Sequence, residues 1–147
     1  MNNDEITMLD SVEDRIGQTV SPGDIVLYPK MVGQSPIMTL ARVINIKKKL
    51  TWNNREQIIT RIKVIDDTHW NCRDKYPDAK VVISTYEVSL TKHSDNLVKI
   101  SPDYLTRLEY DVLINNKEVP VYYDLATTDS YDKSDIYKVT GTWMWGK

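Results

Sequence analysis

The sequence predicts an all-β protein built as a small barrel or sandwich, and three observations carry that expectation. Between residues 25 and 100 there are five short apolar or alternating runs, and strands this short need closure or a second layer to bury their inner faces. At 147 residues, with 41% hydrophobic and 27% charged residues, the chain is long enough for one ordinary core and is not compositionally disordered. It holds nine Tyr and four Trp but no Phe. Every ring therefore carries a polar handle, which suits half-buried positions on a small sheet.

In chain order, Ile6, Leu9, Val12 and Ile16 stand at spacings of three, three and four, which predicts a short helix over residues 4–18. Ser21, Pro22, Gly23 and Asp24 supply turn chemistry directly ahead of the apolar run Ile25 to Tyr28. The remaining strand runs are Met38 to Ile46, then Ile58 to Ile65 with its alternation of Thr60, Ile62 and Val64 against Ile59, Arg61 and Lys63, then Val81 to Val88, and Leu97 to Ile100. A basic loop is expected at 47–57 and a long polar loop at 66–79. Ser101 and Pro102 predict a helical turn through Leu105 and Leu108. Tyr110, Val112 and Ile114 then face Val119, Val121 and Tyr123 across Asn115, Asn116 and Lys117 as a predicted hairpin, and a last strand is expected from Ile136 to Met144. Three regions follow: an N-terminal helical segment at 1–18, a barrel at 19–101, and a C-terminal β-hairpin extension at 102–147 packed on it.

The net charge is −2 and the pI about 5.7, which excludes a uniformly basic nucleic-acid coat. The average conceals a gradient: residues 1–20 sum to −4, residues 21–64 to +6, residues 65–101 to −1 and residues 102–147 to −3. One basic third of a neutral protein is enough to make a basic face. The single cysteine, Cys72, leaves no internal disulfide and fits a reducing compartment. The acidic N-terminus lacks signal-peptide character, and no run approaches the length of a membrane span, so a cytoplasmic protein with no membrane partner is expected.

Val20 to Tyr28, followed after a short loop by Leu40 to Ile46 and later by β runs ending in Leu97 to Ile100, resembles the SH3-like barrel domains of the KOW and Tudor type. The resemblance spans residues 19–101. KOW sequences carry a glycine ahead of the valine of the second segment, whereas Ala41 and Arg42 precede Val43 here, so a glycine-dependent close approach to a partner is not expected. The resemblance implies an SH3-like barrel and a binding function directed at nucleic acid, ribosomal or transcription machinery, or peptides. The composition, rich in Asn, Asp, Lys, Ile and Tyr with few Gly and Ala, is also similar to that of small accessory proteins of large tailed bacteriophages. For such a protein the compartment would be the host cytoplasm.

The strongest functional segment is Lys47, Lys48, Lys49, Trp52 and Arg55. Clustered cations neutralise phosphates and release counterions, and an indole stacks on a base, so this pattern points to DNA or RNA. Lys30, Arg42, Arg61 and Lys63 extend the patch if they share its face. The plain alternative is a solvated loop with Trp52 packed back on the barrel. His69, Cys72 and His93 are the only soft metal ligands, and their spacing matches no zinc arrangement, so neither a metal nor another cofactor is expected. Asp66 and Asp67, and Asp129, Asp132 and Asp135, lack the glycine and closing glutamate of a calcium loop. No nucleotide-binding, metalloprotease or serine-hydrolase motif is present, and the expectation is a protein that is not an enzyme. Tyr122, Tyr123, Trp143 and Trp145 form the aromatic candidate for a protein partner. The sequence therefore supports a non-enzymatic, sequence-tolerant nucleic-acid-binding accessory protein. Its alternative is an adaptor or inhibitor that docks on a host protein through the aromatic and acidic C-terminal half.

Overall fold

A computed structural model describes residues 5–32, 34–50, 53–66, 75–79, 81–91, 97–122, 131 and 135–136. Strands dominate it: β1 (Glu5–Met8), β2 (Val12–Glu13), β3 (Thr19–Val20), β4 (Ile25–Val32), β5 (Ser35–Leu50), β6 (Glu56–Asp66), β7 (Val81–Leu90), β8 (Val98–Ile100) and β9 (Val119–Val121). A 3₁₀ turn at Pro102–Tyr104 and one α-helix, α1 (Arg107–Leu113), complete the described elements. The chain divides into two compact units, residues 1–64 with 87–102, and residues 65–86 with 103–147.

The first unit is organised around β5, which is sixteen residues long. Along one edge its first half pairs antiparallel with β4, from Val32↔Ser35 to Ile25↔Arg42, and its last four residues pair with β1, from Met8↔Lys47 to Glu5↔Leu50. Along the other edge it pairs with β6, from Ala41↔Val64 to Leu50↔Glu56. β8 takes the outer edge of β4, and β7 lies beside β6. The turn into β4 forms as its residues require: the Asp24 N–H donates to the Ser21 carbonyl at 3.0 Å, and Gly23 at the third position has φ +97°. That is a type II turn, with proline pre-set at the second position and glycine in the left-handed region at the third.

The core of this unit is aliphatic: Val20, Ile25, Val26, Ala41, Val43, Ile46, Ile62, Val64 and Leu97 are buried. On β6 burial alternates with period two through Thr60, Ile62 and Val64, and at the end of the strand Ile65 and Asp66 are buried as well. On β5 the buried positions step from Ala41 and Val43 to Ile46, because the register slips between Val43 and Asn45. This bulge inserts one residue and lets the even-numbered end of β5 stay in phase with β6.

Three expectations are corrected here. No pairing among the described residues closes the sheet into a barrel; its strand order is open. The expectation of closure rested on short strands, whereas β5, β6 and β7 run sixteen, eleven and ten residues and offer each other long paired faces. The short N-terminal helix is also absent, and residues 5–8 and 12–13 are strands. Ile6, Met8 and Ile16 are exposed, so the helical spacing of apolar residues did not mark a buried stripe. Asp14 and Gly17 break any helix locally: Asp14 Oδ1 accepts from the N–H groups of Ile16 (3.0 Å) and Gln18 (2.9 Å), and Gly17 has φ +85°. An aspartate bonding the backbone two residues on is turn chemistry in competition with a helix.

The third correction lies in the second unit. The first arm of the predicted hairpin is not a strand: residues 107–113 are α1. The cause is a capping box in which the Glu109 N–H donates to Thr106 Oγ1 at 3.2 Å and the Thr106 N–H donates to Glu109 Oε1 at 2.9 Å. Leu108, Val112 and Leu113 are buried at helical spacing, while Tyr110 is left exposed. Asn116, with φ +58°, then turns the chain, and the Lys117 N–H donates to the Asp111 carbonyl at 3.0 Å. β9 pairs not with residues 110–114 but with β7, Val81↔Val121, Val82↔Pro120 and Ile83↔Val119. The expected strand at 136–144 lies outside the described residues apart from Ile136. Thr106→Ala removes the cap and is expected to cost about 1 kcal/mol in urea unfolding. Thr106→Ser, which keeps the hydroxyl, is expected to be near neutral.

Candidate functional site

The basic segment is arranged differently from the expected 47–57 loop. Lys47, Lys48 and Lys49 belong to β5, held on both sides by pairing to β1 and β6, and only residues 51–55 connect β5 to β6. Side chains alternate along a strand, and directly opposed residues share a face. Lys47 and Lys49 therefore point to one face of the sheet and Lys48 to the other. Below the bulge, Arg42 joins the face of Lys47 and Lys49. On β6, Arg61 and Lys63 lie opposite Asn45 and Arg42, so they share it too. Five of the predicted basic-site residues thus share one sheet face, opposite the face that buries Ile46, Thr60 and Ile62.

Arg61 and Lys48 are each engaged by an acid. Arg61 forks onto Glu87 of β7, with its Nε donating to Oε1 at 2.8 Å and its Nη2 donating to the same oxygen. Both side chains are close to half exposed, so solvent screens the pair and it contributes little to stability. Lys48 Nζ stands 3.6 Å from Glu56 Oε2 on the opposite face. Arg55 is exposed in the connection between β5 and β6. Trp52, the expected stacking residue, lies outside the described residues, as do Tyr123, Trp143 and Trp145. Tyr122 is half-buried and packs with Tyr76 against Ala79 and Val82 in the second unit, which is a structural role.

The register brings two apolar residues of β1 to the same lysines. Ile6 and Met8 of β1 sit directly opposite Lys49 and Lys47. Both are well exposed, at 58% and 60%. On the other side of the same lysines stand Gln57 and Ile59 of β6. The face therefore has two cross-strand rows, Ile6–Lys49–Gln57 and Met8–Lys47–Ile59. No local pattern announces this pairing, because about forty residues separate β1 from the lysines.

A second polar cluster, in the second unit, is structural. Tyr131 Oη donates to Asp111 Oδ2 at 2.5 Å, Asn115 Nδ2 donates to Asp111 Oδ1 at 2.8 Å, and the Arg107 guanidinium lies 5.4 Å from the Tyr131 ring centre. The Tyr131 hydrogen bond, opposed by burial, holds the Asp111 carboxyl below its usual range. Burial and Asp111 together push the Tyr131 phenol up to about 12. Both shifts keep this contact in one protonation state across the neutral range.

Among the described residues no three His, Cys, Asp or Glu side chains gather as a metal-binding group, and no helix is long and apolar enough to cross a membrane. His69, Cys72 and His93 lie outside the described residues. No family model, no curated protein and no solved structure matches this chain.

Proposed function

We propose that this protein is a non-enzymatic nucleic-acid-binding protein that grips the phosphate backbone, without strong sequence preference, through the basic face of its main sheet. The observation that carries the reading is the register that puts Arg42, Lys47, Lys49, Arg61 and Lys63 on one face. From Arg42 to Lys49 that row spans roughly 20 Å of strand at about 3.3 Å per residue, enough to follow several consecutive phosphates. Bases placed on rigid strands lose less entropy on binding than bases on a loop, which favours affinity. In fold terms, we read residues 19–101 as an open relative of the SH3-like barrels of KOW and Tudor type. The type II turn entering β4 and the consecutive antiparallel order β4, β5, β6 support that reading.

The test is fluorescence anisotropy with labelled oligonucleotides over a salt series. Lys47→Glu with Lys49→Glu is expected to weaken binding at least tenfold and to flatten the log–log salt slope by about 1.4 to 1.8, the share of two phosphate contacts. Lys48→Glu makes half that charge change on the opposite face and is expected to lose far less than either Lys47→Glu or Lys49→Glu alone. Equal losses from Lys48 and from its neighbours, or an unchanged slope in the double variant, would remove the basis for the proposal.

A further inference from the structure

We infer that the basic face takes an unpaired strand rather than a duplex, an inference that rests on the nucleic-acid reading above. Its ground is the apolar side chains set among the cations. Ile6 and Met8 would normally be hidden; instead they stand exposed beside Lys49 and Lys47 on the neighbouring strand, at a Cβ separation of about 5 Å. Ile59 and Gln57 flank the same lysines on the other side.

A duplex offers this face little apolar surface. Its outer surface is phosphate and sugar, against which exposed Ile and Met side chains would desolvate charge without gaining contact. The face cannot reach base edges in a groove either. Three strands about 4.8 Å apart, with their side chains, are broader than the two-stranded ribbon that a major groove about 12 Å wide admits. An unpaired strand presents base faces and phosphates side by side. The bases cover Ile6, Met8 and Ile59 while Lys47 and Lys49 meet the phosphates, an aliphatic counterpart of the aromatic sheet platforms that hold single strands.

The experiment uses the full chain with a labelled twelve-nucleotide thymidine strand, its uridine counterpart, and a twelve-base-pair duplex at matched salt. The unpaired strands are expected to bind at least tenfold more tightly than the duplex. Ile6→Ser with Met8→Ser is expected to abolish most of that preference while leaving the salt slope unchanged, because no cation is lost. If the double variant melts earlier than the native chain, Met8→Gln alone, which keeps the side chain's length, provides the reading. Duplex binding equal to or tighter than single-strand binding, or a preference that survives the substitutions, overturns this inference and leaves the nucleic-acid reading standing. Absence of binding to every oligonucleotide overturns both. A native dimer in sedimentation that the serine variant lacks also overturns it, since Ile6 and Met8 would then serve a second copy.

Discussion

Asp14→Ala is expected to be among the most damaging single changes to the first unit. One carboxylate, 5% exposed, organises the 14–18 turn and ties it to β8. Oδ1 accepts from the N–H groups of Ile16 and Gln18, and Oδ2 accepts from Gln18 Nε2 at 2.8 Å and from the Lys99 N–H at 2.7 Å. Gln18 Nε2 also donates to the Lys99 carbonyl at 3.1 Å, and the Arg15 N–H donates to the Leu97 carbonyl at 2.9 Å. Alanine strands these donors together, and bonds to a charged acceptor are each worth about 1.5–3 kcal/mol without being additive, so a loss of about 3–4 kcal/mol is expected. Against a typical total of roughly 5–15 kcal/mol, that moves a urea midpoint far.

The same site carries a pH signature. Burial opposes the charge on Asp14, but hydrogen bonds from the Lys99, Gln18 and Ile16 amides and the Gln18 side chain outweigh it and hold the carboxyl below its usual value of 3.8. The folded state then binds the proton less readily than the unfolded chain. Its stabilisation is present above the ordinary carboxylate range and is lost as the pH falls through the depressed value. Asp14→Asn keeps one acceptor and loses the other, so it is expected to be less stable than the native chain at pH 7. The gap should shrink steadily below pH 4. A gap that stays constant down to pH 2.5 in urea titrations followed by circular dichroism would contradict this account.

Two neighbouring positions on β6 are expected to respond in opposite directions. Ile62 and Thr60 share the buried face of the strand and are both fully buried. Ile62→Ala leaves a cavity in a close-packed aliphatic layer and is expected to cost about 2–5 kcal/mol. Thr60 Oγ1 is buried with no hydrogen-bond partner among the described residues. Thr60→Val removes a desolvated hydroxyl while keeping β-branching and strand propensity, and a gain of about 1 kcal/mol is expected. Denaturant midpoints of the two variants should fall on either side of the native one. A destabilised Thr60→Val would mean that the hydroxyl has a partner worth keeping.

How far the sequence could be read depended on the range of the interaction involved. Turn chemistry at Ser21–Asp24 acts within four residues, and the alternation at 58–64 acts within one strand, so both were visible. The capping box at Thr106 and Glu109 was equally local. Tyr110, Val112 and Ile114 also satisfy strand alternation, and the cap, not the alternation, decides that segment. The N-terminal spacing misled for the converse reason. Four apolar residues at helical intervals mean little where Asp14 captures the backbone amides two and four residues on.

The basic stretch shows the same boundary. Composition alone located eight cations in residues 21–64 and made a basic face reasonable. It could not assign Lys48 to one side and Lys47 with Lys49 to the other until the lysines were known to lie in a strand. Nor could it bring Ile6 and Met8 beside them, or group residues 65–86 with 103–147 rather than with the strands that flank them in sequence. By itself the sequence determined the β character, the turn that starts β4 and the charge gradient, because each follows from neighbours along the chain. The tertiary structure alone decided the open sheet, the bulge that keeps β5 in phase and the faces on which the cations stand. Those depend on register between strands far apart in sequence, and a one-residue shift in register exchanges the two faces.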